Sequence, residues 1–307
     1  MNKKTLYLLI VILVICILIF SGIKIITHIV KTKKVKELKI KPDKITKFEI
    51  NNISKKEQLC FIKELEKWKV YSLNQQEEKY DCDENAVKQL LEKFSQIKLT
   101  DIVSEDKERQ QDFEVDQTST GIILKIYYKD KPDIPEKSFI IGKSGFDYNH
   151  YYFRFFDKQE IYLSKGLEKY SVDKDLTYWR DKTILKLDRE NIEKIKYTGT
   201  KQTFELIKKD NDWYIVKKSS QTKPDTSKLD SFLNTLCNLV ADGFGEEKYW
   251  FTKPDFTILI ETKNKDLIKL DFSKSDKGWI FVIKNQNKQP FWYVYDYKLN
   301  TFRFPEF

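Results

Sequence analysis

One order of elements occurs twice along this chain, and that repetition constrains the fold more than any single motif does. Val87, Leu90, Leu91, Phe94 and Ile97 fall at i, i+3, i+4, i+7 and i+10, the spacing that lines one face of a helix. Leu229, Phe232, Leu233, Leu236 and Leu239 reproduce it 142 residues later without a gap. Any amphipathic helix has such a stripe, so the coincidence gains weight only from its neighbours. Lys44–Ile50 (KITKFEI) matches Asn191–Tyr197 (NIEKIKY), with Ile192 over Ile45 and Ile195 over Phe48, 147 residues apart. Trp68-Lys69-Val70 likewise matches Trp213-Tyr214-Ile215.

The remaining strands follow the same order. Asp43–Ile50 opens the first copy, and Phe61–Tyr71 contains a strand or hairpin ending in the Trp68–Tyr71 alternation. Asp83 is placed as a helix N-cap with Glu84 in the first turn. A polar connection is expected through Asp116, then strands at Gly121–Tyr128, Lys137–Ile141, Tyr151–Phe156 and Glu160–Leu163. The second copy answers with Phe256–Thr262, Asp266–Phe272, Gly278–Ile283 and Pro290–Tyr295. The expected class is α+β: an N-terminal transmembrane helix, then two tandem repeats, each an antiparallel sheet carrying one long helix. Residues 1–30 are expected as an anchor, 31–42 as a basic stalk and 43–166 as the first unit. Residues 167–188 are expected as a helical bridge and 189–307 as the second unit.

The anchor rests on Thr5–Ile23 (TLYLLIVILVICILIFSGI), in which no side chain is charged. At about 1.5 Å per helical residue such a run crosses most of a hydrocarbon core of about 30 Å. It is too long for a signal-peptide core, and Ser21-Gly22-Ile23 ends in a β-branched residue where cleavage prefers a small one. Membrane lipid is therefore the expected partner of residues 5–30. The lysines that follow, Lys31, Lys33, Lys34, Lys36, Lys39 and Lys41, outnumber Lys3 and Lys4 before it. The positive-inside tendency alone would keep the C-terminal part in the cytoplasm.

The net charge of +9 invites a nucleic-acid reading, which its distribution removes. Nine lysines precede Pro42 against one acid, Glu37, so the rest of the chain carries only +1. That leaves no electrostatic footprint for a phosphate backbone, and nucleic acid is not an expected partner. Lysines at a membrane surface instead meet anionic headgroups. Of four cysteines, Cys60 and Cys82 are compatible with a disulfide or with free thiols, and no C-x-x-C spacing points to metal or redox chemistry.

The order of short motifs resembles a family of bacterial membrane-anchored proteins, that of domain of unknown function 4340. The resemblance runs from DKITKFEI through the Trp strand, the helix, FEVD and GIILKIYY, then FIIGKSGFDYNHYYFRF and EIYLS. WRDKTIL leads from there into NIEKIKY and the second copy. Two departures stand out: FEVD replaces a commoner Tyr/Phe-Gly-Leu pattern, and FTKPDFTI keeps more of the family's prolines. The resemblance implies a domain outside the cytoplasmic membrane, encoded near ABC-type export or gliding-motility-like components. It carries over no catalytic residue.

Chemistry-bearing residues are sparse. His28 abuts the apolar segment, so only His150 remains as a base, and no G-x-S-x-G elbow accompanies it. Gly142–Gly145 (GKSG) lacks the frame of a phosphate loop. Asp81 and Asp83, and Glu246-Glu247 after Asp242-Gly243-Phe244-Gly245, lack the alternation of a calcium loop. No metal, cofactor or catalytic residue is assigned. Tyr148, His150, Tyr151 and Trp279 are the candidate ligand-binding residues, with hairpin and sheet packing as the alternative account. Trp179, Arg180 and Asp181 are expected at the joint between the repeats. The expected function is a non-enzymatic accessory subunit of an ABC-type transport or gliding-motility-like complex, held in the cytoplasmic membrane by a single pass. An envelope module binding glycan or peptide is the alternative.

Overall fold

A computed structural model describes residues 38–303, apart from 75–77, 119, 201, 218–219 and 288–289, together with 12–15 and 17. The expected anchor therefore lies outside the described residues, apart from those five. Among the described residues no helix is long and apolar enough to cross a membrane. The chain divides into two compact units, Met1–Arg180 and Asp181–Phe307.

The first unit is built on nine strands. They are β1 (Ile45–Asn52), β2 (Glu57–Glu64), β3 (Lys67–Ser72), β4 (Tyr80–Asp81), β5 (Lys98–Ser104), β6 (Ile122–Tyr128), β7 (Lys137–Ser144), β8 (Tyr151–Phe155) and β9 (Ile161–Lys165). Their order in the sheet is β4-β3-β2-β1-β6-β7-β8-β9-β5, with every neighbouring pair antiparallel. Ile45, Phe48 and Ile50 of β1 all face the core despite their uneven spacing. A register shift against β6 between Ile45 and Lys47 explains it, because a bulge inserts one residue and restores the facing.

Helix α1 (Glu84–Ser95) lies on one face of this sheet through Val87, Leu90, Leu91 and Phe94. It begins where Asp83 accepts hydrogen bonds from the Asn85 and Ala86 amides, both at 3.0 Å. Glu84 accepts from the Trp68 amide at 2.8 Å and so fixes the helix start to β3. Phe48 stacks on Phe61 at 4.2 Å between ring centroids and meets Phe94 edge-on at 5.7 Å. Leu38 and Ile40, expected in the stalk, are buried in this core, and the Lys41 amide donates to the Tyr128 hydroxyl at 2.8 Å. The folded body thus begins ahead of Asp43.

The second unit repeats the strand order with its own residues. It contains β10 (Thr183–Lys186), β11 (Ile192–Gly199), β12 (Thr203–Lys209), β13 (Asp212–Lys217), β14 (Ser220–Thr222), β15 (Asn238–Val240) and β16 (Gly243–Phe244). The last four are β17 (Phe256–Thr262), β18 (Leu267–Lys274), β19 (Trp279–Lys284) and β20 (Trp292–Tyr295). Nine of these form the sheet β14-β13-β12-β11-β17-β18-β19-β20-β16, while β10 pairs with β15 apart from it. A register shift between Ile192 and Lys194 places the same bulge in β11 as in β1. Helix α2 (Thr226–Cys237), capped by Asp225 on the Lys228 amide, packs Leu229, Phe232, Leu233 and Leu236 onto this sheet.

The expected α+β class with long helices is corrected by these observations. Strands hold 45% of the described residues, and each nine-stranded sheet carries one helix of twelve residues. Ile97 and Leu239 complete the helical spacing in sequence but lie beyond the helix ends, Leu239 within β15. The stripe therefore overstates the helices. Short, exposed strands such as β4 and β14 show no apolar alternation by which to count them.

The face of each sheet away from its helix carries a smaller core. In the first unit Ile123, Ile140 and Ile161 are covered by Phe113 and Val115 of the FEVD segment. That segment lies so close that a Cβ on Gly142 would sit 2.1 Å from the Phe113 carbonyl oxygen, and one on Gly121 2.3 Å from that of Glu114. In the second unit Phe281, Ile283 and Phe291 are covered by Tyr249, Trp250 and Phe251.

Candidate functional site

The loop between β7 and β8 holds most of the sequence-predicted ligand residues of the first unit. Gly145 and His150 close it, the Gly145 amide donating to the His150 carbonyl at 2.7 Å. Asp147 braces the interior. One carboxylate oxygen accepts from the Asn149 and His150 amides at 3.2 Å, and the other lies 2.6 Å from His150 Nδ1. The bonded His150 ring holds the Asp147 carboxyl below the ordinary range. His150 is thereby a brace for its own turn.

The same frame holds two aromatic side chains in solvent. Phe146 is 88% exposed and Tyr148 80% exposed, which sets them apart from the packed aromatics of both cores. Tyr148 takes a left-handed backbone conformation, φ 59°, that a bulky side chain rarely adopts. Tyr151, grouped with them in sequence, instead packs against the helix-side core. Phe146 escaped sequence reasoning; its place between Gly145 and Asp147 in a tight turn was the available signal.

Arg154 is the buried cation of the first unit, 4% exposed. Its Nε donates to the Val115 carbonyl at 2.7 Å, and its Nη1 donates to the carbonyls of Phe155, Phe156 and Lys158 at 2.7 to 3.1 Å. Carbonyls satisfy it, so it holds FEVD and the β8–β9 turn in place.

Trp179 and Arg180 close the first unit, and Asp181 begins the second. Trp179 is 1% exposed and meets Phe61 edge-on at 5.3 Å, while its carbonyl accepts from the Asp83 amide at 2.8 Å. Arg180 forms a β-bridge with Cys82 and lays its guanidinium over Tyr80. Asp181 accepts from the Thr183 amide at 2.9 Å.

Trp279 belongs to the second unit. It stacks on Tyr293 at 4.9 Å; Tyr293 is followed on the same face of β20 by Tyr295, and Tyr297 in the 3-10 turn after the strand continues the row. Tyr295 and Tyr297 stack at 6.1 Å with an interplanar angle of 11°. The Lys277 ammonium lies 5.8 Å from the Trp279 ring and donates to the Tyr249 hydroxyl at 3.2 Å. Gly243 makes room for this row, since a Cβ there would meet the Tyr293 hydroxyl oxygen at 2.6 Å and its ring at 2.7 Å. Asp242 accepts from the Tyr295 amide at 2.8 Å and pairs with Lys298, which explains its place beside the glycines.

Cys60, Cys82 and Cys237 are free and buried. Burial pushes each thiol up from its ordinary pKa, which suppresses the thiolate that nucleophilic or metal chemistry requires. Among the described residues no group of three or more His, Cys, Asp or Glu is placed to hold a metal ion.

Comparison with known proteins gives one family. The family model described as Domain of unknown function (DUF4340) matches residues 68–255, more than half of the chain. No curated protein and no solved structure matches.

Proposed function

The chain belongs to the DUF4340 family, and on that premise we propose that it is a non-enzymatic accessory subunit of an ABC-type transport or gliding-motility-like complex. Its uncharged segment Thr5–Ile23 holds it at the cytoplasmic membrane, and the folded units contact membrane-protein partners on the extracytoplasmic side. The observation that carries this reading is the braced 145–150 loop with Phe146 and Tyr148 in solvent. Aromatic anchors on a fixed backbone bind a protein partner with little ordering cost, which is the usual character of an interface hot spot. The principal polar groups around the candidate residues support a binding role, since His150, Arg154 and Arg180 are spent on the fold. Photo-crosslinking from position 146 or 148 in membranes tests the reading. Capture of a transporter subunit, lost in the F146A/Y148A variant at unchanged thermal stability, is the expected result. Recovery of the chain alone from both positions overturns it.

A second reading is favoured by the row Trp279, Tyr293, Tyr295 and Tyr297. A row of ring faces running from β19 across β20 into the turn after it offers stacking to successive units of a glycan, with Lys277 as a polar contact at the row's start. Retention on an immobilised cell-wall polysaccharide, abolished in Y295A/Y297A, would establish it. Unchanged retention in that variant removes it.

A further inference from the structure

The strand register places four segments of the first unit at one end of its sheet. β1 starts there, with Ile45 opposite Tyr128, and Glu64 opposite Lys67 closes the β2–β3 turn at the same end. Ile126 opposite Lys137 and Phe139 opposite Phe155 bring the 129–136 and 156–160 loops there as well. Leu38–Lys44 arrives at this end, since Lys41 bonds to Tyr128 and the Lys129 amide donates to the Lys44 carbonyl.

Two apolar side chains on this rim have no place in the fold. Leu65, at the tip of the β2–β3 turn, is 100% exposed and takes φ 48°, with Glu66 at φ 68°. Two successive left-handed residues make a turn that favours Asn, Asp or Gly, and a leucine there is strained as well as solvated. Ile134, in the 129–136 loop, is 67% exposed. The second unit supplies an internal comparison. Its corresponding β12–β13 turn uses Asp210 at φ 51° and Asn211 at φ 69°, and its β17–β18 turn reads Lys263-Asn264-Lys265-Asp266. Leu267 is exposed there too, but as the first residue of β18. The apolar turn tip thus belongs to the unit that the N-terminal segment enters.

We infer that this rim of the first unit, through Leu65 and Ile134, rests in the headgroup layer of a phospholipid bilayer. The inference rests on the reading that residues 5–30 insert in that bilayer. Few residues separate Val30 from Leu38, so the rim is tethered close to the surface, and Lys31, Lys33, Lys34 and Lys36 fill the interval. Those lysines supply the attraction to anionic headgroups. On the rim Lys63 pairs with Glu66, Lys79 with Glu64 and Lys137 with Glu136, and the apolar contact comes from Leu65 and Ile134. Leu65 and Ile134 flank three strand spacings, a footprint of about 14 Å.

The full-length chain carrying Cys16→Ser, reconstituted in phosphatidylcholine vesicles with a minority of phosphatidylglycerol, provides the test. A polarity-sensitive dye is attached at Leu65→Cys, at Ile134→Cys, or at the control Asp210→Cys. Blue-shifted emission, strongly quenched by lipid-borne nitroxide, is expected at 65 and 134 and not at 210. Flotation of the chain with vesicles while 65 and 134 report water overturns the rim contact and leaves the anchor standing. Failure of the chain to float overturns both.

Discussion

The Arg180 guanidinium lies 3.6 Å from the centroid of the Tyr80 ring, directly after Trp179 has filled the core beside Phe61. Burial lowers the pKa of this guanidinium, and the ring face replaces part of the hydration it has lost. With the Cys82 bridge and the Asp83–Trp179 hydrogen bond, these two residues return the end of the first unit to the start of α1.

Truncation should therefore weaken the first unit strongly. Trp179→Ala is expected to cost about 3–5 kcal/mol, as a large ring leaves a cavity against Phe61. Arg180→Ala should cost about 1–2 kcal/mol through the lost ring contact and aliphatic packing. Urea unfolding followed by the signal of α1 measures both, and equal small losses would contradict the arrangement.

Two carboxylates tie the segment after β9 to the rest of the unit. Burial opposes ionisation of Glu168, yet the Lys93 ammonium at 2.5 Å, the backbone amide and the Ser171 hydroxyl outweigh it, leaving the carboxyl below the ordinary range. Glu114 is held down in the same way, with burial outweighed by Lys169 at 2.8 Å, Thr120 and Lys143. Lowered folded values mean stability that is complete above the unfolded carboxyl pKa, about 4.3, and lost as pH falls through the folded value. The variant K93M/K169M should unfold at lower urea than the parent at neutral pH. The two midpoints should converge in acid, and a constant gap would refute the linkage.

The three described thiols should be inert in the folded chain. Cys60, Cys82 and Cys237 are buried with raised pKa values, so an aromatic disulfide reagent should reach them only through unfolding. In a C16S background, release of thiolate should be slow in buffer and rapid in urea. A fast phase in buffer would place one of them at the surface.

Gly142 is expected to be intolerant of any side chain. Gly142→Ala must push the FEVD segment off the sheet, at a cost of about 1–3 kcal/mol. The displacement should expose Arg154, detectable as faster amide exchange at Val115 and Lys143.

Much of this architecture was legible. Asp83 and the stripe from Val87 fixed the first helix, and the uneven Ile45–Phe48–Ile50 spacing of β1, repeated at Ile192–Ile195, reflects a bulge found in both units. Strand β5 was not legible: Lys98–Ser104 (KLTDIVS) is an edge strand with two register shifts and an exposed Asp101, so it reads as a polar connection. The helical share was overestimated because one stripe dominates the eye while nine strands, several of them short, share the sheet. At the candidate site, the turn ahead of His150 that holds Tyr148 was legible, but the exposure of Tyr148 depends on the brace that Asp147 and His150 build. That His150 and Trp279 belong to different units was readable from the repeat, whose copies were placed at 43–166 and 189–307.

The bond between Asp83 and Trp179 spans almost a hundred residues, and β5 likewise waits for β9 to pair with it. A nascent chain must therefore leave the first sheet open along one margin until Arg180 has emerged. During that interval the edge of the unfinished sheet stands unguarded, a hazard that a chaperone would have to cover. Slow synthesis just beyond residue 180 would give this half time to shut before its neighbour appears.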